Sequence, residues 1–482
     1  MAFTSEQEET LKLVAAAFEN GKRLSDLPTA TGTNPYKMQV EVLDEDGESK
    51  KAALADLLPY VEDDVAYGVE FDVTVSSPTC TRIGNTALHK SLPIQNRMRG
   101  CLLDDSGKVV EYLDPTDWTG AVRDGSRGQV MVEIPKHYRR CQTDGNKRRV
   151  LLSEYPVPGY ELVPLMYVSA YQATVQRSTS KLASVVNTDA DYRGGNNSAT
   201  NDAASNTLLG MPATAISRTN IRKFARNRKN DTSEWNCMTY DAQKALYWLF
   251  VVEYATLNSQ AAYNSEPTAE GYRQGGLGAG VTTVEWGKWS AFNGGYPFIP
   301  CGYTDDLGNR TGAKDFTMPT EYDTSATKVV SVPRYRGIEN PFGHLWQWTD
   351  GVNIRISPTT ENGGDGLSKV FVCHDPAKFS DMGYDGYSLV GNEARTEGYV
   401  KEVIFGEGGE IIPKEVGGGS STYFCDNHYT NIPTSETLRG LLFGGRAHVG
   451  AYAGFAYASS DSAPSYTNAN IGSRLCFLPQ TA

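Results

Sequence analysis

The stretch from Arg334 to Asn353, RYRGIENPFGHLWQWTDGVN, decides how the rest of the chain is read. Trp346 and Trp348 stand two residues apart, the spacing that places side chains on one face of a β-strand. Two indoles on one face are a large apolar load, so this stretch is expected to be a strand with both rings turned toward the core. Working upstream, Thr239 opens a run through AQKALYWLFVVEYATLNSQ to about Gln260. Its apolar residues wrap nearly all the way round, with Leu246, Leu249 and Phe250 beside Tyr247, Val251 and Tyr254, which predicts a helix buried against a sheet. Ser217 to Arg228 reads as a second, basic helix. Beyond Gln260, Gly and Asn punctuate the chain every few residues, which argues for short strands and long ordered loops rather than more helix.

Further toward the N-terminus, Gln129 to Tyr138 is strand-like and bounded by Asp124-Gly125-Ser126-Arg127-Gly128 and by Asp144-Gly145. At the start, Thr4 and Gln7 fit a capping box, and Leu11, Val14, Ala15 and Phe18 share one helical face until Gly21. Met38 to Val42 then alternates like a strand, Asp44-Glu45-Asp46-Gly47 turns it, and Lys51 to Leu58 follows. No fixed-period repeat is evident. The expected organisation is an acidic attachment and oligomerisation module over 1–66, a β-rich connector over 67–150, and a large α+β domain over 151–482 with two main helices, short strands and long ordered loops.

Composition narrows the function. A chain of 482 residues, 39% hydrophobic, is about three domains long and can bury a large core. Its net charge of −12 argues against a nucleic-acid or anionic-membrane partner, since both are met by Lys/Arg-rich faces. No stretch approaches the roughly 20 apolar residues of a membrane span, and the N-terminus lacks the basic start and apolar run of a secretory signal. The 8 cysteines, Cys80, Cys101, Cys141, Cys237, Cys301, Cys373, Cys425 and Cys476, are dispersed without a CxxC pair and read as free thiols. With 48 Gly and 27 Tyr, the body should be rich in turns and aromatic anchors, a composition that binding surfaces also favour.

Several stretches resemble known families. Gly21 to Val61, with its DLP element ahead of a hairpin, looks like the N-terminal segments of phage tail-fibre proteins. GQVMVEIPKHY (Gly128 to Tyr138) and PVPGYELVPLMYVSAYQATV (Pro156 to Val175) resemble a module of phage tail and adhesin proteins that leads into a C-type-lectin-like body. Arg334 to Asn353 resembles the signature of the formylglycine-generating-enzyme-like branch of that fold, which diversity-generating-retroelement variable proteins share. Tyr171-Gln172-Ala173-Thr174 sits where that family often ends a strand, and the Thr239 helix where it places its second helix, so the resemblance runs from about Leu162 to the C-terminus. It implies a C-type-lectin-like fold for 151–482, built on a twisted antiparallel sheet with two main helices and long ordered loops.

Catalysis and metal binding find little support in the residues. An oxidase of that branch needs a reactive thiol pair or copper-binding cysteines near the end, because thiolate is the nucleophile and ligand. Cys425 and Cys476 are the candidates, but Cys476 lies in the apolar run Leu475-Cys476-Phe477-Leu478 and reads as a buried structural cysteine. The 6 histidines, His89, His137, His344, His374, His428 and His448, show no ligand spacing, and Cys373 and His374 would point opposite ways on a strand. The calcium triplets of sugar-binding C-type lectins are absent, and no GxSxG elbow precedes a helix. No metal, cofactor or catalytic residue is expected.

The C-terminal stretch Gly444 to Phe477, GGRAHVGAYAGFAYASSDSAPSYTNANIGSRLCF, resembles the variable region of retroelement-diversified proteins. The resemblance implies fixed pieces such as AGFAY and TNANIG.RLCF, with Arg446, His448, Val449, Tyr452, Ser459, Asp461, Ser462 and Tyr466 as varied, ligand-binding positions. Randomising both adenines of an Asn codon cannot produce Lys, Glu, Gln, Met or Trp, and none of these occurs from Arg446 to Asn470. Small residues here (Gly444, Gly445, Gly450, Gly454, Ala456, Ala458) let the backbone run close to neighbouring loops, while exposed side chains are free to change. Tyr452, Tyr466 and Arg446 are the leading contacts by residue type, whereas Phe455 and Tyr457 read as core.

The resemblance therefore implies a non-enzymatic receptor-binding protein of a phage tail, diversified by a retroelement. Its expected partners are a bacterial cell-surface receptor, protein or glycan, other virion tail proteins through the N-terminus, and two further copies in a homotrimer. An oxidase-like enzyme, a bacterial surface adhesin and a structural virion protein without diversification are the alternatives.

Overall fold

The strand carrying the two tryptophans runs from Trp346 to Ile356 and is covered on both faces. It pairs antiparallel with Ser368–Val372 and Thr437–Gly444 and parallel with Ile471–Gly472, at the centre of a nine-stranded sheet. Trp346 and Trp348 lie in one apolar cluster with Trp235, Leu442, Tyr457 and Leu475, as their spacing predicts. The ladder to Thr437–Gly444 slips between Thr349 and Ile354, around Asp350 and the left-handed Gly351 (φ 78°). Past this irregularity Val352, Ile354 and Ile356 belong to the other large cluster, the one that holds the long helix. A single strand thus stitches two cores together.

The computed structural model describes residues 62–202, 206–319 and 328–479, together with the backbone of the strands Gln39–Leu43 and Ser49–Ala53. These two strands form an antiparallel hairpin with Val40 opposite Ala52. The helix expected between Thr4 and Gly21 lies outside the described residues.

The long helix is Tyr240–Tyr254, and every residue in it except Asp241 is buried. The Thr239 hydroxyl accepts from the Ala242 N–H and starts it. It ends at Tyr254 rather than near Gln260, because Ala255 turns left-handed (φ 51°) and hands the chain to a pairing with the 78–80 segment. There Cys80 N–H donates to Ala255 O, and Leu257 N–H to Pro78 O. Helix Arg218–Arg226, begun by the Ser217 side chain, matches the basic stretch. Helix Trp286–Asn293 stands where the density of Gly and Asn argued for loop. Trp289 and Phe292 bury their rings in a satellite cluster with Val284, Phe298 and Val332, and this packing outweighs the cost of Gly287 within the helix.

Two further large sheets belong to a mostly β architecture with few helices. The five-stranded sheet runs, in spatial order, Glu161–Val163, His137–Asp144, Lys147–Ser153, Ala66–Asp72 and Thr81–Gly84. The six-stranded one runs Trp235–Cys237, Leu475–Phe477, Met166–Ser169, Gln129–Ile134, Arg99–Leu103 and Val109–Tyr112. The single strand expected over Gln129 to Tyr138 is therefore two, one in each sheet. Pro135 has no N–H to give a ladder, and at Pro135-Lys136 the chain passes from one sheet to the other. Segments 67–150 and 151–482 share the six-stranded sheet, and Tyr67, Val69, Phe71, Val150 and Leu152 pack in the same cluster as the long helix.

Candidate functional site

Gly444 to Phe477 starts at the end of one strand of the nine-stranded sheet, adds the strands Gly454–Ser459 and Ile471–Gly472 to it, and ends as a strand of the six-stranded one. Gly444 and Gly445 take left-handed φ values of 96° and 80°, a 3₁₀ turn spans Gly450–Tyr452, and strand Gly454–Ser459 runs back beside Thr437–Gly444. The small residues act as the frame. A Cβ at Gly454 would lie 1.7 Å from Asp426 Oδ1, and one at Gly445 would lie 3.0 Å from the Ala453 Cβ and from Tyr457. Phe455 and Tyr457 are buried, with Phe455 among Phe250, Tyr335 and Phe342 and with the Tyr457 ring 4.6 Å from Trp346.

The positions read as varied do not all face outward. Tyr452 and Tyr466 are 39% and 45% exposed, and Arg446, His448 and Asp461 are half-buried at the surface. Val449, also half-buried, packs against both main clusters. Ser459 and Ser462 are a correction to the expectation of display: both are buried. Their hydroxyls donate to Asp461 Oδ1 at 3.0 and 2.9 Å, so they hold the carboxylate from beneath. A period-2 pattern cannot separate these serines from exposed ones, because strand Gly454–Ser459 is covered on both faces.

The structure adds aromatic residues from outside the segment. Trp286, 46% exposed at the start of helix Trp286–Asn293, has its ring 4.7 Å from His448 and 5.7 Å from Trp289. The Arg446 guanidinium lies 5.5 Å from the Trp286 ring centroid, a cation–π geometry. Tyr399 meets Tyr452 edge-on at 5.2 Å. Tyr429, 37% exposed, sits opposite Ser459 where Asn427–Tyr429 pairs in parallel with Gly454–Ser459. The only sequence signal for Trp286 is the i, i+3 pair it makes with Trp289, one ring buried and one displayed.

The electrostatics are mild and of both signs. Burial lowers the Arg446 pKa, while Tyr457, Asp461, Tyr466 and Tyr429 act on it in the opposite direction. Burial, followed by the Arg446 charge, takes His448 down to about 4, so its ring is neutral at pH 7. The surface therefore offers Arg446 as cation, Asp461 as anion and an aromatic field around them.

Of the residues weighed for chemistry, His448 and Cys476 lie within this segment and the others outside it. Cys476 is fully buried in Leu475–Phe477, its Sγ 3.7 Å from Met238 Sδ, and burial pushes both its thiol and that of Cys425 up to about 12. All 8 cysteines are buried and free. Cys373 is buried while His374 is exposed and pairs with Asp241 at 2.8 Å. Among the described residues no group of three or more His, Cys, Asp or Glu is placed to hold a metal ion, and no helix is long and apolar enough to cross a membrane.

No protein-family model matches the chain, and no curated protein matches it. Among solved structures it is similar to the Major Tropism Determinant U1 variant, at 10% identity over 92% of this chain and 96% of that one, with a TM-score of 0.20. It is also similar to the I1 variant, at 11% identity over 94% and 96% of the two chains, and to the P3c variant, at 12% over the same shares, each with a TM-score of 0.20.

Proposed function

We propose that this chain is a non-enzymatic receptor-binding protein whose ligand surface is the aromatic field centred on Gly444 to Phe477. The observation that carries the reading is the pairing of exposed Trp286 with Arg446, on whose guanidinium Asp461, Tyr429 and Tyr466 also act, over a frame of glycine and alanine in a segment that exposes Tyr452 as well. Trp, Tyr and Arg are the residues that most often dominate binding energy, and exposed aromatic clusters on a soluble chain mark interaction sites. Held by backbone packing beneath, the side chains above can change without unfolding the domain.

The sequence resemblances supply the finer reading. Residues 151–482 are a C-type-lectin-like domain, 67–150 the β-rich segment before it and 1–66 an attachment module. The chain acts in a phage tail as a homotrimer, joined to other virion proteins through its N-terminus, and a retroelement diversifies the positions around Arg446 to Tyr466 to follow a bacterial surface receptor. Exchanging Arg446, His448, Tyr452, Asp461 and Tyr466 as a set should change which strains of a bacterial panel bind the purified protein, while Tm stays within about 2 °C. Unchanged strain binding would contradict the reading. For diversification, the check is a near-repeat of the DNA encoding Gly444 to Phe477, differing only at adenines, beside a reverse-transcriptase gene.

A further inference from the structure

We infer that Trp286 is the fixed anchor of this surface, an indole outside the diversified segment that takes an apolar side chain from a folded protein ligand whatever residues stand at 446 and 448. The inference rests on the proposed function and names a contact which the sequence of Gly444 to Phe477 does not contain. Three features single Trp286 out. It is 46% exposed, whereas its helix neighbour Trp289 is fully buried, so the two rings divide into one that holds the helix and one that faces outward. The exposed ring is held in place from the body side, where Trp289 meets it edge-on at 5.7 Å. The residues touching its flank, Arg446 and His448, are read as varied, so a diversifying surface would change its rim while keeping the same platform beneath.

A rigid indole contributes large contact area at little conformational cost, and a hot spot is typically such a ring surrounded by groups that exclude water. Arg446 beside it supplies a positive charge, and Asp461, Tyr429 and Tyr466, which lie close enough to act on that guanidinium, supply a negative charge and hydroxyls on apolar bodies. Apolar centre, polar rim and paired charges form the pattern that meets a protein surface.

The test needs no knowledge of the natural receptor. Positions 446, 448, 452, 461 and 466 are randomised in the full chain on three scaffolds, the natural one, Trp286→Ser and Trp286→Phe. All are displayed on cells and selected against lysozyme as a soluble folded probe. Binders from the natural scaffold should be at least tenfold more frequent than from Trp286→Ser, with Trp286→Phe restoring most of the difference, and Trp286 should be protected from hydroxyl-radical oxidation in the selected complexes. If Trp286→Ser does not fold, Trp286→Phe and the oxidation measurement decide. Equal binder frequencies with Trp286 oxidised equally in bound and free protein would overturn the inference and leave the proposed function standing. No binders from any scaffold would overturn both.

Discussion

Gly454 packs so closely on Asp426 that a β-carbon there would sit 1.7 Å from the carboxylate Oδ1. Asp426 Oδ2 accepts the Ala456 N–H at 2.8 Å, and the Phe455 N–H goes to the Ser259 hydroxyl at 3.0 Å. Gly454 is thus where the backbone of the display segment is pinned to the body. Gly454→Ala should cost about 2 to 3 kcal/mol through steric overlap, read as a lower urea midpoint with an unchanged m-value. A variant as stable as the parent would mean that Asp426 moves aside freely.

The displayed residues should behave in the opposite way. Tyr452→Ala and Tyr466→Ala remove rings that are 39% and 45% exposed, so each should change stability by no more than about 0.5 kcal/mol. Ser459→Ala and Ser462→Ala fall between, because each removes a donor from Asp461 at a buried position; about 1 kcal/mol is expected for either. Chemical denaturation of the four single variants gives the ranking directly.

Arg474 is a sharper case. It is 1% exposed and has no carboxylate within ion-pair distance among the described residues. Its guanidinium donates to the carbonyls of Ser169, Ala170, Glu339 and Asn340 and to Gln347 Oε1. Arg474→Met keeps the volume but leaves several buried carbonyls without donors. A loss of more than about 3 kcal/mol, larger than for any displayed residue, should appear in the same denaturation experiment.

Arg474 also marks the limit of what the sequence discloses. Trp346 and Trp348, the Thr239 cap and the apolar wrap of Tyr240–Tyr254 were readable because each rests on local spacing that the fold then obeys. Arg474 and the serines at 459 and 462 were not, since polar residues become core only when distant strands close over them. Helix Trp286–Asn293 was hidden for a related reason: its stability comes from Trp289 and Phe292 packing on residues such as Val332, far along the chain. The site was legible as a segment, but the outside contribution of Trp286, Tyr399 and Tyr429 is a product of topology.

Stability should fall as the solution turns alkaline. Glu393 is buried with the Ser460 and Thr430 hydroxyls as hydrogen-bond partners, and burial raises it from 4.5 to about 8. Asp426 is likewise pushed well above its ordinary value by burial. Such groups keep a proton in the folded state that the unfolded chain releases, so their contribution is full below about pH 4.5 and is lost as the pH rises through about 8. His448 and His137, both taken down to about 4 with burial as the main cause, act in the other direction, but only below pH 6.5. Tm should therefore decline between pH 6.5 and pH 8.5, and Glu393→Gln should flatten the decline. A flat profile for the parent would contradict the burial of these carboxyls.

On the proposed function, the displayed aromatics and Arg446 hold the ligand while the frame beneath only supports them. This is tested most directly by measuring, for Trp286→Ala, Tyr452→Ala, Tyr466→Ala and Arg446→Ala, both Tm and the Kd for whichever panel strain the parent protein binds. At least two of the four should weaken binding tenfold or more, about 1.4 kcal/mol, with Tm unchanged within about 2 °C. Binding that survives all four substitutions, or falls only in proportion to lost stability, would place the ligand surface elsewhere on the molecule.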